Sequence, residues 1–393
     1  MMDSFYIAWK YLRFNKIKTA TLIACITLIS FLPGALQLLL NESERQLMSR
    51  AVSTPLVVGA KGSALDLVMN SLYFDDEVPE LISMEAADRV METDLALPIP
   101  LYVRFHVRNH PIVGTTLDYF EFRKLKLNIG RQMAVLGECV IGARVADALK
   151  VSPGDSLVSS PETLFDLAGI YPLKMKVAGI LKKSHTPDDL AIFVDLKTTW
   201  VIQGLGHGHQ DVTQIKDQTL ILKKTDGYVA ASAKLYHFQE ITDKNINSFH
   251  FHGDLSVYPV TAVIAVPYDT KSGTILQGRY LSKDARDQII KPQTVIDGLL
   301  ENIFRIKNML DAIISVVALA TILAIVLVFA LSLRLRQREI ETIFKLGCSR
   351  ATIAKLIAAE ILIIVVASAV LNILLMVPLH VYTNELVRML VIN

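Results

Sequence analysis

Three long apolar stretches, near residues 17–40, 308–333 and 353–379, constrain this chain more than any other feature of its 393 residues. Each meets the requirement for a spanning helix, roughly 20 mainly apolar residues for a hydrocarbon core ~30 Å thick. Backbone N–H and C=O groups in lipid need internal partners, so each stretch is expected to be helical. Pro33-Gly34 is expected to bend the first near its outer end. That first run is too long for a signal-peptide core and lacks a small-x-small cleavage site after it, so retention is expected.

Flanking charge sets the direction of crossing. The leader carries Lys10, Arg13, Lys16 and Lys18 against Asp3. The loop between the second and third stretches carries Arg334, Arg336, Arg338, Lys345 and Arg350 against Glu339 and Glu341. Both are therefore read as cytoplasmic. The expected layout is a cytoplasmic amphipathic helix at 1–16, a first span at 17–40 and an external α+β domain with stalks at 41–307. A second span follows at 308–333, a short cytoplasmic helix at 334–352, a third span at 353–379 and an external tail at 380–393. Asp311, Lys355 and Glu360 lie toward helix ends, and Asn372 is the strongly polar residue deep in the third span. Ion and proton pathways usually need ionisable groups at mid-membrane, so a secondary transporter is disfavoured.

A net charge of +2 gives no reason to expect a nucleic-acid partner. Cys25, Cys139 and Cys348 are far apart, and no disulfide within the external domain is expected. In that domain Leu56–Gly59, Val135–Ile141, Met175–Leu181, Ala191–Val194 and Leu255–Val266 read as strands, and Ala143–Leu149 as a short helix. Asn41–Arg50 reads as a polar continuation of the first helix, stopped by Pro55. Pro292 suits a first helical turn, and Val295, Leu299, Ile303 and Ile306 recur at helical spacing, as a stalk entering the second span would show.

Catalytic signatures are missing. Gly59-Ala-Lys61-Gly-Ser63 has the residue types of a phosphate loop without its spacing, and no Gly-x-Ser-x-Gly or His-Glu-x-x-His occurs. Ala60–Leu65, with Asp66 and Tyr73-Phe74, is read as a strand–turn–helix element of the core in preference to a face for substrate or partner. A non-catalytic membrane subunit is expected, with no cofactor of its own. Eight of nine histidines, at positions 106, 110, 185, 207, 209, 237, 250 and 252, lie in the external domain. His207-Gly-His209 and His250-Phe-His252 each put two imidazoles on one face of a strand, the minimal pattern for a metal, although surface histidines are the plainer reading.

In the cytoplasmic loop, Glu341 and Lys345 form an i,i+4 pair, and Ile340, Ile343 and Phe344 form an apolar face. Gly347 suits a helix C′ position and Ser349 the next N-cap. The run Arg336-Gln-Arg-Glu339-Ile340 … Leu346-Gly347-Cys348-Ser349-Arg350 … Ile353 … Glu360 resembles the R-x-x-E-I … L-G-A-S-R … I … E signature of the FtsX/MacB-type (type VII) ABC permease family, with Cys348 in place of Ala. Ala8–Leu12 through Lys16–Thr19 is similar to that family's N-terminal helix. Val135-Leu-Gly137 … Leu149–Asp155, Val177–Leu181, Asp188-Asp189 and Ile192-Phe193 are similar to its periplasmic core. The resemblance implies a MacB-like fold: an α-helical membrane protein with three transmembrane helices and a large α+β periplasmic domain in the bacterial inner membrane. It also implies a separate ABC ATPase carrying ATP and Mg, a second permease copy, and an adaptor or substrate-delivery protein. The coupling set would be Arg338, Glu339, Ile340, Glu341, Phe344, Lys345, Leu346, Gly347, Ser349 and Arg350. Mechanotransmission would drive export of a peptide, lipid, lipoprotein or toxic small molecule. A signalling module acting on a cell-wall hydrolase, or a metal-linked transport component, stays open beside it. The chain departs from the family's usual four spans.

Overall fold

The structure is a computed structural model that describes residues 2–161, 172–208, 221–225, 228–231, 239–282, 286–335, 337, 341–342, 345 and 349–391. It divides into two compact units, Ser49–Ile296 and the pair of segments Met1–Met48 and Asp297–Asn393.

The first unit is built on an eleven-stranded mixed sheet. Its strands are β1 (Leu56–Ala60), β2 (Ala96–Val107), β3 (His110–Thr115), β4 (Leu127–Gly130), β5 (Glu138–Ile141), β6 (Ser156–Val158), β7 (Leu173–Leu181), β8 (Ile192–Asp195), β9 (Gln239–Glu240), β10 (Ala262–Pro267) and β11 (Asp287–Ile290). The order is β9-β7-β5-β8-β3-β2-β10-β1-β11, with β4 and β6 also paired to β7. Strands β5 and β7, and β3 and β8, run parallel, whereas β3-β2-β10-β1-β11 is wholly antiparallel. This is an α+β domain.

Strand β2 is the longest, at 12 residues, although it contains Pro98 and Pro100. Both prolines pair with β10, opposite Ala265 and Val263, while β3 joins the other edge only from Leu101 onward. Two residues i and i+2 send their N–H groups to the same side. At these positions that side has no partner strand, so the missing donors break no ladder bond. Tyr102, Phe105, Ile112, Cys139, Ile141, Met175, Ile192 and Trp200 share one buried core across the sheet.

Several expected strand limits shift. The strand expected at Val135–Ile141 begins at Glu138, because Gly137 takes a left-handed φ of 83° that ends extended backbone. The run Leu255–Val266 is interrupted: Asp254 caps a 3-10 turn over Leu255–Val257, and extended structure resumes at Pro259. Gly59–Ser63 does form a strand–turn–helix element, with Ser63 Oγ accepting from the Asp66 N–H at 3.2 Å to cap Ala64–Val68.

The second unit is helical. Helix α1 (Met2–Phe14) precedes α2 (Lys16–Val52), which continues through Pro33 for 37 residues. Helix α3 (Pro292–Leu335) runs 44 residues from its N-terminal proline, and α4 (Arg350–Val391) runs 42. The 380–393 stretch, expected as a separate tail, continues α4 through Pro378 as far as Val391. Among the described residues two helices, α2 and Ala351–Thr383 within α4, are long and apolar enough to cross a membrane; within α3 the apolar run so described is Asp311–Ala320. Three spans are expected from the sequence; two helices of that length and composition occur among the described residues. Few residues in these two apolar windows are buried, and Leu28, Val366, Ile373, Leu374 and Val381 stand exposed. Apolar surface of that extent is costly in water.

Helices α2 and α4 touch along a strip of small and polar residues. Ser368 Oγ donates to the Ile23 carbonyl at 3.4 Å, Thr27 Oγ1 to the Ser368 carbonyl at 3.4 Å, and Asn372 Nδ2 to Ser30 Oγ at 2.7 Å. A Cβ on Gly34 would lie 3.3 Å from Met376 Cε. Partner numbers rise together on both helices, so α2 and α4 run parallel.

Candidate functional site: a buried arginine clamp at the end of helix α2

Arg50 lies in the last turn of α2 and is 6% exposed, although the Asn41–Arg50 segment reads in the sequence as a polar, solvated continuation. Its Nη1 donates to Asp188 Oδ2 at 2.6 Å and its Nη2 to Asp188 Oδ1 at 3.0 Å, a bidentate pair. Nη2 also donates to Tyr119 Oη at 2.8 Å, and Tyr119 Oη donates on to Asp188 Oδ1 at 2.8 Å. Thr186 Oγ1 donates to Asp188 Oδ2 at 2.7 Å. Phe74 places its ring 5.2 Å from the guanidinium carbon, adding a cation–π contact. Asp188 and Tyr119 are both essentially buried, at 1% and 0% exposed.

Three elements build this cluster. The 3-10 turn Pro187–Leu190 carries Asp188, and its neighbour Asp189 accepts from the Ser184 and His185 N–H groups at 2.8 Å, which fixes the loop. The helix Asp118–Phe122 carries Tyr119, whose ring packs on Phe193 of β8 at 5.5 Å. Arg123, one residue beyond that helix, donates to Thr54 Oγ1 at 2.8 Å and to Ser53 Oγ at 3.2 Å, holding the chain just after α2. Gly142 seats the loop from below: a Cβ there would come within 2.3 Å of the Asp189 carbonyl oxygen and 2.4 Å of that of Asp188.

The electrostatics are those of a matched buried pair. Burial alone would raise the Asp188 carboxyl, but the Arg50 charge and hydrogen bonds, with Arg123 and Thr186, outweigh it and hold it at about 2. Burial opposes the Arg50 charge too, and Asp188 and Tyr119 reverse that, so its pKa lies above the ordinary arginine value. Burial pushes the Tyr119 phenol up to about 12 against the pull of Arg50. At neutral pH Arg50, Asp188 and Tyr119 are one cation, one anion and one neutral phenol, with the Arg123 cation beside them.

Much of the predicted coupling set lies outside the described residues: Arg338, Glu339, Ile340, Phe344, Leu346 and Gly347. Glu341 and Lys345 are helical, and Arg350 opens α4. Ser349 sits where an N-cap should, with its Oγ accepting from the Thr352 N–H at 3.2 Å. His209 also lies outside the described residues, and His207 lies in the short strand Gly206–Gly208. Among the described residues no group of three or more His, Cys, Asp or Glu side chains is placed to hold a metal. A cleft of about 270 Å³ lies among Lys61, Glu80, Glu85, Arg89, Arg286 and Asp287, where Arg89 pairs with Asp287 and with Glu85. Sequence reasoning missed the clamp because its two charged partners are 138 positions apart. The available signal was an adjacent Asp188-Asp189 pair set just before the apolar strand β8.

No family model matches the sequence, and no curated protein matches it. Among solved structures, the chain is similar to the periplasmic region of MacB from Actinobacillus actinomycetemcomitans, at 12% identity and a TM-score of 0.35, over 65% of this chain and 98% of that one. It is also similar to the extracellular domain of the noncanonic ABC-type transporter YknZ from Gram-positive bacteria, at 12% identity and a TM-score of 0.32, over 60% and 98% of the two chains. A permease-protein domain from Porphyromonas gingivalis is similar at 10% identity and a TM-score of 0.27, over 60% and 86%. At scores this low, function has to be read from the chain's own residues.

Proposed function

We propose that this chain is the membrane-embedded, non-catalytic permease subunit of an ABC-type complex, and that it carries force rather than substrate across the bilayer. The single observation that carries this reading is the course of α2. One unbroken helix of 37 residues, about 55 Å at 1.5 Å per residue, passes from a basic leader through an apolar span to Arg50. Arg50 is then bonded into the external domain through Asp188 and Tyr119. A helix fastened in this way passes on displacement along its axis, whereas a flexible linker would absorb it.

The cytoplasmic loop at 334–352 supplies the entry point for force, on its resemblance to the coupling segment of FtsX/MacB-type permeases. A separate ATPase binds and hydrolyses ATP there, two permease copies face each other, and the external domain works in the periplasm. The work is extrusion of a peptide, lipid, lipoprotein or toxic small molecule, handed over by a periplasmic adaptor. The absence of ionisable side chains at the centres of the apolar stretches supports this over carriage through the helices. The test is affinity purification of the full chain from membranes with identification of every stably bound protein. Stoichiometric recovery of a nucleotide-hydrolysing subunit is the expected result. Its repeated absence, or labelling of Lys345 from the periplasmic side, would sink the reading.

A further inference from the structure

We propose that helix α1 lies along the bilayer surface and binds the anionic headgroups of phospholipids through Lys10, Arg13 and Lys16. This rests on the chain being a membrane protein and not on the force-carrying part of the permease reading. Helix α1 leaves the axis of α2 at Asn15. Thr19 Oγ1 donates to the Leu12 carbonyl at 3.0 Å, although residues seven apart in one straight helix are separated by about 10 Å. Leu12 and Leu22, ten positions apart, join Ile364 of α4 in one buried cluster, and α1 packs against α4. A helix that turns aside where the apolar α2 begins runs across the face of a bilayer rather than through it.

The two sides of α1 differ sharply. Ala8 and Leu12, four positions apart, are buried. The other side carries Tyr6, Lys10 and Arg13 at i, i+4 and i+7, flanked by Trp9 and Phe14, and all five are exposed. Lys10 Nζ stands over the Tyr6 ring, 5.5 Å from its centroid. Among the described residues Lys10, Arg13 and Lys16 form no ion pair. Water alone would leave Trp9, Phe14 and Ile17 hydrated, and hydrocarbon would strand three cations. Headgroup depth suits both: Trp and Tyr rings settle there, and each Lys or Arg gains from negative phosphates. A zwitterionic surface would satisfy the rings but not the charge. Lys10, Arg13, Lys16 and Lys18 stand against Asp3 alone in this segment, so the complementary surface is anionic.

The experiment reconstitutes the full chain into phosphatidylcholine vesicles containing either brominated phosphatidylglycerol or brominated phosphatidylcholine, and reads quenching of Trp9 by the bromine atoms. The chain has two tryptophans, and Trp200 is buried in the sheet domain, so its emission is an unquenched background. Trp9→Phe should remove the quenched component. The expected result is a preference for phosphatidylglycerol at the helix of roughly tenfold or more, at about fivefold per cation engaged. High salt should weaken it. The preference should fall to near parity in Lys10→Gln/Arg13→Gln/Lys16→Gln, with quenching by phosphatidylcholine retained, and should survive Lys10→Arg. Equal quenching by the two lipids in the native chain, or an unchanged preference in the triple variant, would overturn the proposal. So would a Trp9 that neither lipid quenches, because a protein partner or a second copy would then cover this face. None of these outcomes depends on an ATPase, so the proposal stands or falls apart from the permease reading.

Discussion

Breaking the Arg50–Asp188 pair should destabilise the sheet domain by several kcal/mol, and restoring an apolar match should recover much of the loss. Arg50→Met leaves a buried carboxylate without its cation, a change that costs about 3–5 kcal/mol. The depressed ionisation of Asp188 points the same way. Its carboxyl falls from an ordinary 3.8 to about 2, which corresponds to roughly 2–3 kcal/mol at neutral pH. The sign follows from the depressed value: this stabilisation is complete above about pH 4 and is lost as pH falls through 2. In Arg50→Met/Asp188→Leu no charge is stranded, and only the Tyr119 and Thr186 hydroxyls lose a partner, at about 1–3 kcal/mol. Asp188→Leu strands Arg50 at a similar cost, so the single effects sum to roughly 6–10 kcal/mol, and the double variant should be more stable than that sum by at least about 3 kcal/mol. Trp200, buried in the same domain, reports unfolding through its fluorescence in a urea titration of the full chain. A cost below about 1 kcal/mol for Arg50→Met, or strict additivity in the double variant, would refute the clamp as an energetic unit. Under the proposed function the double variant should bind its ATPase normally but lose transport, since it folds without the fastener.

The other expectations test separate links. Gly142→Ala drives a methyl group against the carbonyls of Asp188 and Asp189, and should cost roughly 1–3 kcal/mol by the same urea titration, whereas Gly62→Ala, with open space around it, should be near neutral. Asn372→Leu removes the bond to Ser30 and should lower detergent resistance of the helical unit by about 0.5–2 kcal/mol, with Ser30→Ala in the same background adding little. Gly347→Pro, or Glu339→Lys with Glu341→Lys, should abolish stimulation of the partner ATPase while the Trp200 spectrum stays native; unchanged stimulation would remove this loop from the coupling path. Ser349→Ala should destabilise the start of α4 by about 1 kcal/mol, measured as lost amide protection over the first turn.

What the sequence made legible depended on the range of the determining interaction. The long helices followed from apolar length, and the helix over Ala143–Leu149 came at its observed limits, because hydropathy and turn residues act within a few positions. Strand β2 was not legible. Pro98 and Pro100 argue against a strand in any single-chain reading, and they are permitted only because β3 begins to pair at Leu101, a fact of sheet topology. Strand β3 was lost with it, since its Gly114 owes its place to a close approach by Thr199, where a Cβ would lie 2.5 Å from that residue's Cγ2.

The clamp shows the same divide in the chemistry. Arg50 follows Glu42, Glu44 and Arg45 in a polar run, and nothing local distinguishes it from its solvated neighbours. Only the fold supplies the carboxylate that makes its burial tolerable. An unpaired arginine could not be buried at that point, and an unpaired Asp188 could not stay ionised there. Each is therefore evidence for the other, and both belong to the core of the sheet domain at the end of α2. Under the proposed function, force entering α2 at its N-terminal end would leave through that pair. A weak surface salt bridge worth less than about 1 kcal/mol would slip under load, whereas a dry bidentate pair braced by Tyr119 and Thr186 resists sliding and rotation at once.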